Sequence, residues 1–233
     1  MHDPSGNLES GFVEEIARDI NVSAEGTIGA RRTFDRCPWI SGGLDFTGSA
    51  ASGRLVPDSS LASVFSSSGD YTICLWERTD GGDQTFWQLL NSSSSVTNDE
   101  RLFKSSVSRQ FSMPNTNNLF FSASNGVQYL TSVTKKATGG GVSGEYKLYK
   151  YTESNKLAPD IDNSAVTNYP ITGVHIGARS DNTRYCDATL AGMGVFNALM
   201  ETTELLQVFE GPEPYNLVPP SVSGDVSGGT VPV

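Results

Sequence analysis

Tyr71-Thr72-Ile73-Cys74-Leu75-Trp76 is the stretch on which the fold turns. Its β-branched and aromatic side chains suit a pleated, half-buried surface and lose rotamer freedom in a helix. Turn-forming residues bound it, Ser66-Ser67-Ser68-Gly69 before and Asp80-Gly81-Gly82-Asp83 after. Thr85-Phe86-Trp87-Gln88-Leu89-Leu90 is the next run of the same kind, so Asp80-Gly81-Gly82-Asp83 reads as a hairpin loop. Farther out, Asn118-Leu119-Phe120-Phe121-Ser122-Ala123 and Val127-Gln128-Tyr129-Leu130-Thr131 flank Ser124-Asn125-Gly126, a second hairpin signal. Residues 145–151 alternate about Leu148, Gly173-Val174-His175-Ile176-Gly177 is a short buried strand, and 190–196 is the last strong one. Short strands so spaced predict an all-β sandwich. One late segment is helical in character, Thr202-Thr203-Glu204-Leu205-Leu206-Gln207-Val208-Phe209, with capping residues at its start and Gly211-Pro212 at its end.

The two ends read differently. Phe12, Val13, Ile16, Ala17 and Ile20 fall at helical spacing, with Ser10 placed to cap and Glu14 and Glu15 in the first turn. This predicts an N-terminal arm over 1–36, partly helical, packed on its own domain or reaching a neighbouring subunit. Residues 212–233 carry Pro212, Pro214, Pro219, Pro220 and Pro232 among glycine and serine. Such a tail buries too little apolar surface to fold alone and is ordered only where something else holds it. The expected organisation is an arm (1–36), a sandwich (37–211) and a tail (212–233), with no internal repeat.

Composition narrows the partners. The chain has 233 residues and a net charge of -10, from 16 basic and 26 acidic side chains. Phosphate backbones repel such a protein, so nucleic acid is not an expected partner. No apolar run is long enough to cross a membrane as a helix. Met1-His2-Asp3-Pro4-Ser5-Gly6 lacks the basic and apolar regions of a secretory signal. Cys37, Cys74 and Cys186 are odd in number and widely spaced, forming neither a CxxC pair nor a disulfide framework. They are expected as reduced thiols in a cytosolic product, with Cys74, among apolar neighbours, in the core.

Two blocks of sequence resemble the concanavalin A-like, laminin-G-like jelly-roll family. The first is Leu44-Asp45-Phe46-Thr47-Gly48, then Leu55-Val56-Pro57-Asp58-Ser59-Ser60-Leu61, then the Tyr71–Trp76 strand. The second is His175-Ile176-Gly177, then Leu190-Ala191-Gly192-Met193-Gly194-Val195-Phe196-Asn197, then a helix with Met200, Glu204, Leu205, Val208 and Phe209. Lys147-Leu148-Tyr149 is similar to the strand between the blocks, but the Asn-Gly turn that follows it in the family is replaced by Thr152-Glu153-Ser154-Asn155. The likeness covers roughly 43–211. It implies a two-sheet antiparallel jelly-roll sandwich of the lectin/glucanase type with a short helix near the C-terminus, and it places Trp76 in the core. The fold serves lectins, adhesion modules, glycosidases and virion proteins alike, so it leaves function open.

Catalysis finds little support. Retaining glycosidases of this fold carry a Glu-x-Asp-x-x-Glu strand, and Glu77, Glu145 and Glu153 all lack a carboxylate at those offsets. A serine triad would have to use His175, inside an apolar strand. No cofactor is expected. Calcium, held by some relatives through loop oxygens, would find its candidate ligands in Asp160, Asp162 and Asp181, near Asn163 and Asn182, while Asp80 and Asp83 make a third cluster. Such clusters are more often solvated turns. The run 79–86 is slightly similar to a sialidase Asp box, one residue out of register. Sugar binding would need an exposed aromatic, and the candidates are Trp39, Trp87, Tyr129, Tyr149 and Tyr151, each weighed against a packed core role.

The function expected from the sequence is therefore non-catalytic. The first expectation is a virion structural subunit, such as a phage capsid decoration or tail-associated protein. It would be assembled in host cytoplasm, dock through its termini onto other virion proteins or copies of itself, and expose the sandwich. The alternative is a carbohydrate-binding or adhesion module acting outside the cell on surface glycans. A glycoside hydrolase comes third.

Overall fold

A strand has two faces, and the sandwich is defined by which face each strand turns inward. The structure is a computed structural model describing residues 22–25, 29–33, 42–47, 53–57, 59–65, 69–79, 81–91, 99–113, 118–137, 144–152, 155–156, 160–162 and 170–210. Its elements in chain order are β1 (Val22–Glu25), β2 (Gly29–Thr33), β3 (Gly42–Thr47), β4 (Arg54–Pro57), α1 (Ser59–Val64), β5 (Tyr71–Thr79), β6 (Gln84–Asn91), β7 (Glu100–Ser105) and β8 (Ser108–Ser112). Then follow β9 (Leu119–Ser122), β10 (Gln128–Lys136), β11 (Glu145–Thr152), β12 (Asn155–Lys156), β13 (Asp160–Asp162), β14 (Ile171–Ile176), β15 (Asp187–Phe196) and α2 (Thr202–Glu210). Among the described residues, a seven-stranded sheet runs β1-β4-β14-β6-β7-β8-β9 and an eight-stranded sheet runs β12-β11-β10-β5-β15-β3-β2, with β13 also on β11. The result is an all-β, antiparallel jelly-roll sandwich, as the sequence predicts.

The connections depart from the sequence reading at two places. β5 lies in the eight-stranded sheet and β6 in the seven-stranded one, so 81–83 crosses between sheets and is not a hairpin loop. Ser124-Asn125-Gly126 makes the same kind of crossing from β9 to β10. Glycine and aspartate turns bend the chain without saying whether it returns to the same sheet. Lys104 donates to the Gly81 carbonyl and the Gly126 N–H to that of Thr79, tying the two crossings in place. A true tight hairpin joins β7 and β8 through Ser106-Val107, with Ser106 at φ 52° and no glycine to announce it. β1 and β2 fall inside the stretch expected as an arm, yet β1 pairs with β4 and β2 with β3, one at an edge of each sheet. The sandwich therefore takes in strands before residue 37. α1 is a helix that the sequence reading did not anticipate. The predicted helix at 12–20 and the tail 212–233 lie outside the described residues.

The inward faces form one apolar core from both sheets, with Tyr71, Ile73 and Leu75 of β5 and Trp87, Leu89, Leu102 and Phe111 of the other sheet among its members. Two of the register shifts among the described strands adjust the pleat of the core. A register shift between Leu190 and Gly192 lets Ala188 and Leu190, and beyond it Met193 and Val195, all face inward. A second, between Thr85 and Trp87, buries the adjacent Phe86 and Trp87 together. Where β14 leaves the sheet, Gly177 takes φ 91° and passes so close to Phe46 that an added Cβ would lie 2.3 Å from its ring.

Two ionic groups cross this core. Arg109 of β8 grips Glu77 of β5 through Nε and Nη2 at 2.7 and 2.9 Å and also donates to Thr79. Thr131 of β10 adds a bond to the same carboxylate, and both charged side chains are fully buried. Elsewhere in the core, Glu100 of β7 accepts from Tyr71, Tyr146 and Lys135 of the opposite sheet.

The outer face of β5 is covered too. Cys74 and Trp76 pack there with Leu130, Tyr149 and Tyr151 beneath Leu205 of α2, so both expected core residues are buried, but in a second cluster. The Thr72 hydroxyl donates to Ala198 O and accepts from Met200 N, fixing the lead into α2, and Glu204 caps the helix by accepting from Glu201 N. Cys74 and Cys186 are buried thiols outside any disulfide. Burial pushes the Cys74 thiol up to about 12 although Ser132 donates to it.

Two outcomes follow from this packing. Arg109→Met alone strands the Glu77 charge and is expected to cost about 3–5 kcal/mol, whereas the Glu77→Leu/Arg109→Met pair recovers most of it; urea unfolding measures both. Iodoacetamide at mildly alkaline pH is expected to leave Cys74 unlabelled in the folded protein and to label it in denaturant, read by peptide mass.

Candidate functional site

Paired positions on neighbouring strands share a face. His175, Gln88, Arg101 and Ser112 therefore form a rank across β14, β6, β7 and β8. Phe103, Gln110 and Phe120 form the next rank across β7, β8 and β9. The intervening Leu102, Phe111 and Leu119 are core residues, so both ranks look outward from the seven-stranded sheet.

The loop 177–186, which leads from β14 to β15, is bound to this face. Gln88 accepts from Ser180 N at 2.8 Å and donates to Ser180 Oγ and to Asp99. Arg54 donates to Asn182 Oδ1 at 3.0 Å, and Thr85 N donates to Arg184 O at 2.9 Å. These bonds hold Asn182 at φ 58° and Arg184 at φ 50°, left-handed geometry that costs free energy in a residue with a Cβ. The constrained loop brings Arg179 and Arg184 beside Arg101.

The cluster is electrostatically unusual for so acidic a chain. Phe103 carries the Arg101 and Arg184 guanidinium groups, with Cζ 4.8 and 5.6 Å from its ring centre. Arg101 Nε and Nη1 are buried without a hydrogen-bond partner. Burial, reinforced by the like charges of Arg179 and Arg184, lowers the Arg101 pKa to about 10. Burial also pushes the Asp99 carboxyl up, against hydrogen bonds from Gln88 and Asn91 N and the charges of Arg101 and Arg179. At Asp181 burial is outweighed by the Thr183 hydroxyl and Arg179, and the carboxyl stays below its usual value. A partly desolvated guanidinium flanked by two more concentrates positive charge of the kind that suits a carboxylate, sulfate or phosphate group.

The aromatic candidates read from the sequence need correction. Trp87, Tyr129, Tyr149 and Tyr151 are all buried, and a stacking residue must offer a ring face to solvent. Trp87 packs on Phe111 in the core, and Tyr129 lies against Arg109 and Phe121. Tyr149 and Tyr151 stack on each other in the cluster under α2. Trp39 lies outside the described residues, as do Asp80 and Asn163. Asp160 and Asp162 belong to β13, paired with β11, and not to a loop. The Asp181 carboxylate is engaged by Thr183 and Arg179. Among the described residues no three His, Cys, Asp or Glu side chains gather as a metal site. Glu77 and Glu100 are sealed in the core, out of reach of a polysaccharide.

Sequence reasoning passed over Arg101, Arg179, Arg184 and Phe120. No local motif joins the three arginines. Phe120, 62% exposed, sits between Leu119, in the core, and Phe121, packed against it, and only its place in the alternation sets it apart.

No family model and no curated protein matches the sequence. Solved structures do match in fold. The receptor-binding domain of a botulinum neurotoxin C/D mosaic serotype aligns with TM-score 0.57 at 8% identity, over 82% of this chain and 46% of that one. A botulinum neurotoxin type C structure, described by cell entry that depends on interaction with two ganglioside molecules, gives TM-score 0.53 at 9% identity, with 82% and 46% covered. The binding domain of botulinum neurotoxin DC in complex with SialylT gives 0.54 at 11%, again with 82% and 46%. At these identities the likeness is one of fold, and the chain spans about half the length of the structures it matches.

Removing the half-buried charge tests whether the cluster serves the fold. Arg101→Met is expected to raise the unfolding free energy by about 1 kcal/mol in urea titration, because a half-buried guanidinium with two donors lacking a hydrogen bond is replaced by an apolar chain of similar length.

Proposed function

We propose that this chain is a non-catalytic recognition module that takes an acidic ligand, of the class of cell-surface glycans, on the outward face of its seven-stranded sheet. The observation that carries this is the positive cluster itself, a half-buried Arg101 kept beside Arg179 and Arg184 by a strained loop. Folds tolerate such a cost where a ligand repays it. The neurotoxin domains of like fold include one described with gangliosides, which supports an anionic glycan, although half of each of those structures has no counterpart here. No cofactor is called for. The laminin-G-like kinship suggested by the motifs of 43–211 accords with this role.

A second reading is a virion subunit that exposes the sandwich and docks through its terminal segments onto other virion proteins or its own copies. In its favour, the proline-rich sequence of 212–233 offers too little apolar surface to fold alone, as a docking segment would. On that reading the protein is assembled in host cytoplasm; on the first alone, it acts extracellularly.

A glycan array holding sialylated, sulfated, uronic-acid and neutral glycans separates the two. Binding restricted to acidic glycans, weakened by salt and lost in Arg101→Gln, is the expected result. Uniform silence on the array, with co-sedimentation of the full chain with virus particles, would replace it with the docking role.

A further inference from the structure

The arginine cluster does not end the outward face. Phe103, under Arg101 and Arg184, stands directly opposite Gln110, and Gln110 directly opposite Phe120. β7 and β9 are two strand spacings apart, about 10 Å, which is more than one sugar ring covers. The interval is polar and hydrogen-bonded within itself, Asn118 donating to Gln110 and Gln110 to Ser108. Phe120 at its far end keeps 62% of its surface exposed, unusual for a phenylalanine in a protein whose apolar residues are otherwise largely buried.

We infer that these residues form one extended binding strip and that its ligand is an acidic oligosaccharide of at least two units, its anionic sugar at Arg101, Arg179 and Arg184 and the apolar face of a following sugar on Phe120. The inference rests on the anionic-ligand role proposed above and adds ligand length and a second contact. Cationic side chains hold the charge, amides and hydroxyls meet the sugar hydroxyls, and an aromatic ring takes the C–H face, three chemistries that converge on saccharides. A rigid sheet presents all three, so the spacing between the two contacts is set by strand register and not by loop motion.

The test uses the full chain and calorimetric titration with two probes, 3′-sialyllactose and free N-acetylneuraminic acid. Arg101→Gln is expected to abolish binding of both. Phe120→Ala is expected to weaken 3′-sialyllactose by about tenfold while leaving N-acetylneuraminic acid unchanged. Val107→Ala, at an exposed apolar residue on the hairpin tip, is expected to change neither. If Phe120→Ala leaves the trisaccharide's affinity intact while Arg101→Gln abolishes it, the extended strip is wrong and the anionic site stands. If Arg101→Gln changes nothing, or neither probe binds, the anionic-sugar site itself is wrong and the strip falls with it.

Discussion

Arg109 reaches from one sheet across the core to both carboxylate oxygens of Glu77 on the other, where neither charge meets solvent. Apolar packing between two sheets is tolerant of sliding, because dispersion and burial have little direction. A bidentate ion pair is not. Glu100 and Lys135 form a second bridge with the polarity reversed: the acid now belongs to the seven-stranded sheet and the base to the eight-stranded one. Any relative shift of the sheets breaks both pairs at once and leaves four buried charges. The pairs thus select one docking of the sheets more than they add to its stability.

The same strands carry the outward site. Glu100 is followed by Arg101 and Arg109 by Gln110, so each core anchor has a surface residue as its immediate neighbour on the opposite face. The outward ranks inherit the precision of the core. Their cost is visible as well, in the unpartnered Arg101 donors and the left-handed residues of the 177–186 loop. Core and site treat charge differently, since inside both acids are met by a cation while outside Arg101 keeps two donors without a hydrogen bond.

The parts of the fold readable from sequence were those whose side chains obey the simple rules. β5 and β14 are rich in β-branched and aromatic residues, and α2 has its capping residues and its glycine-proline stop. β7 and β8 escaped because Glu100, Lys104 and Arg109 occupy inward positions, so the alternation reads as polar on both faces. Tyr149 and Tyr151 looked like a platform because nothing near them in sequence reveals that α2 lies across them. The two crossings read as hairpins because a turn signal is local and sheet membership is not. The anion site was illegible for a related reason: Arg101 and Arg184 meet only through the pairing of β6 with β7 and the return of the loop to β6.

The shielding of β5 has a bearing on how the chain is made. Met200 donates to Thr72 across 128 positions, and the helix that hides Trp76 comes later still. β10 and β15, which flank β5, also follow it in the chain. At about 5–20 residues per second of synthesis, the central strand leaves the ribosome roughly ten seconds before its cover exists. Over that interval Ile73 and Leu75 on one face and Cys74 and Trp76 on the other stay without the later residues that bury them.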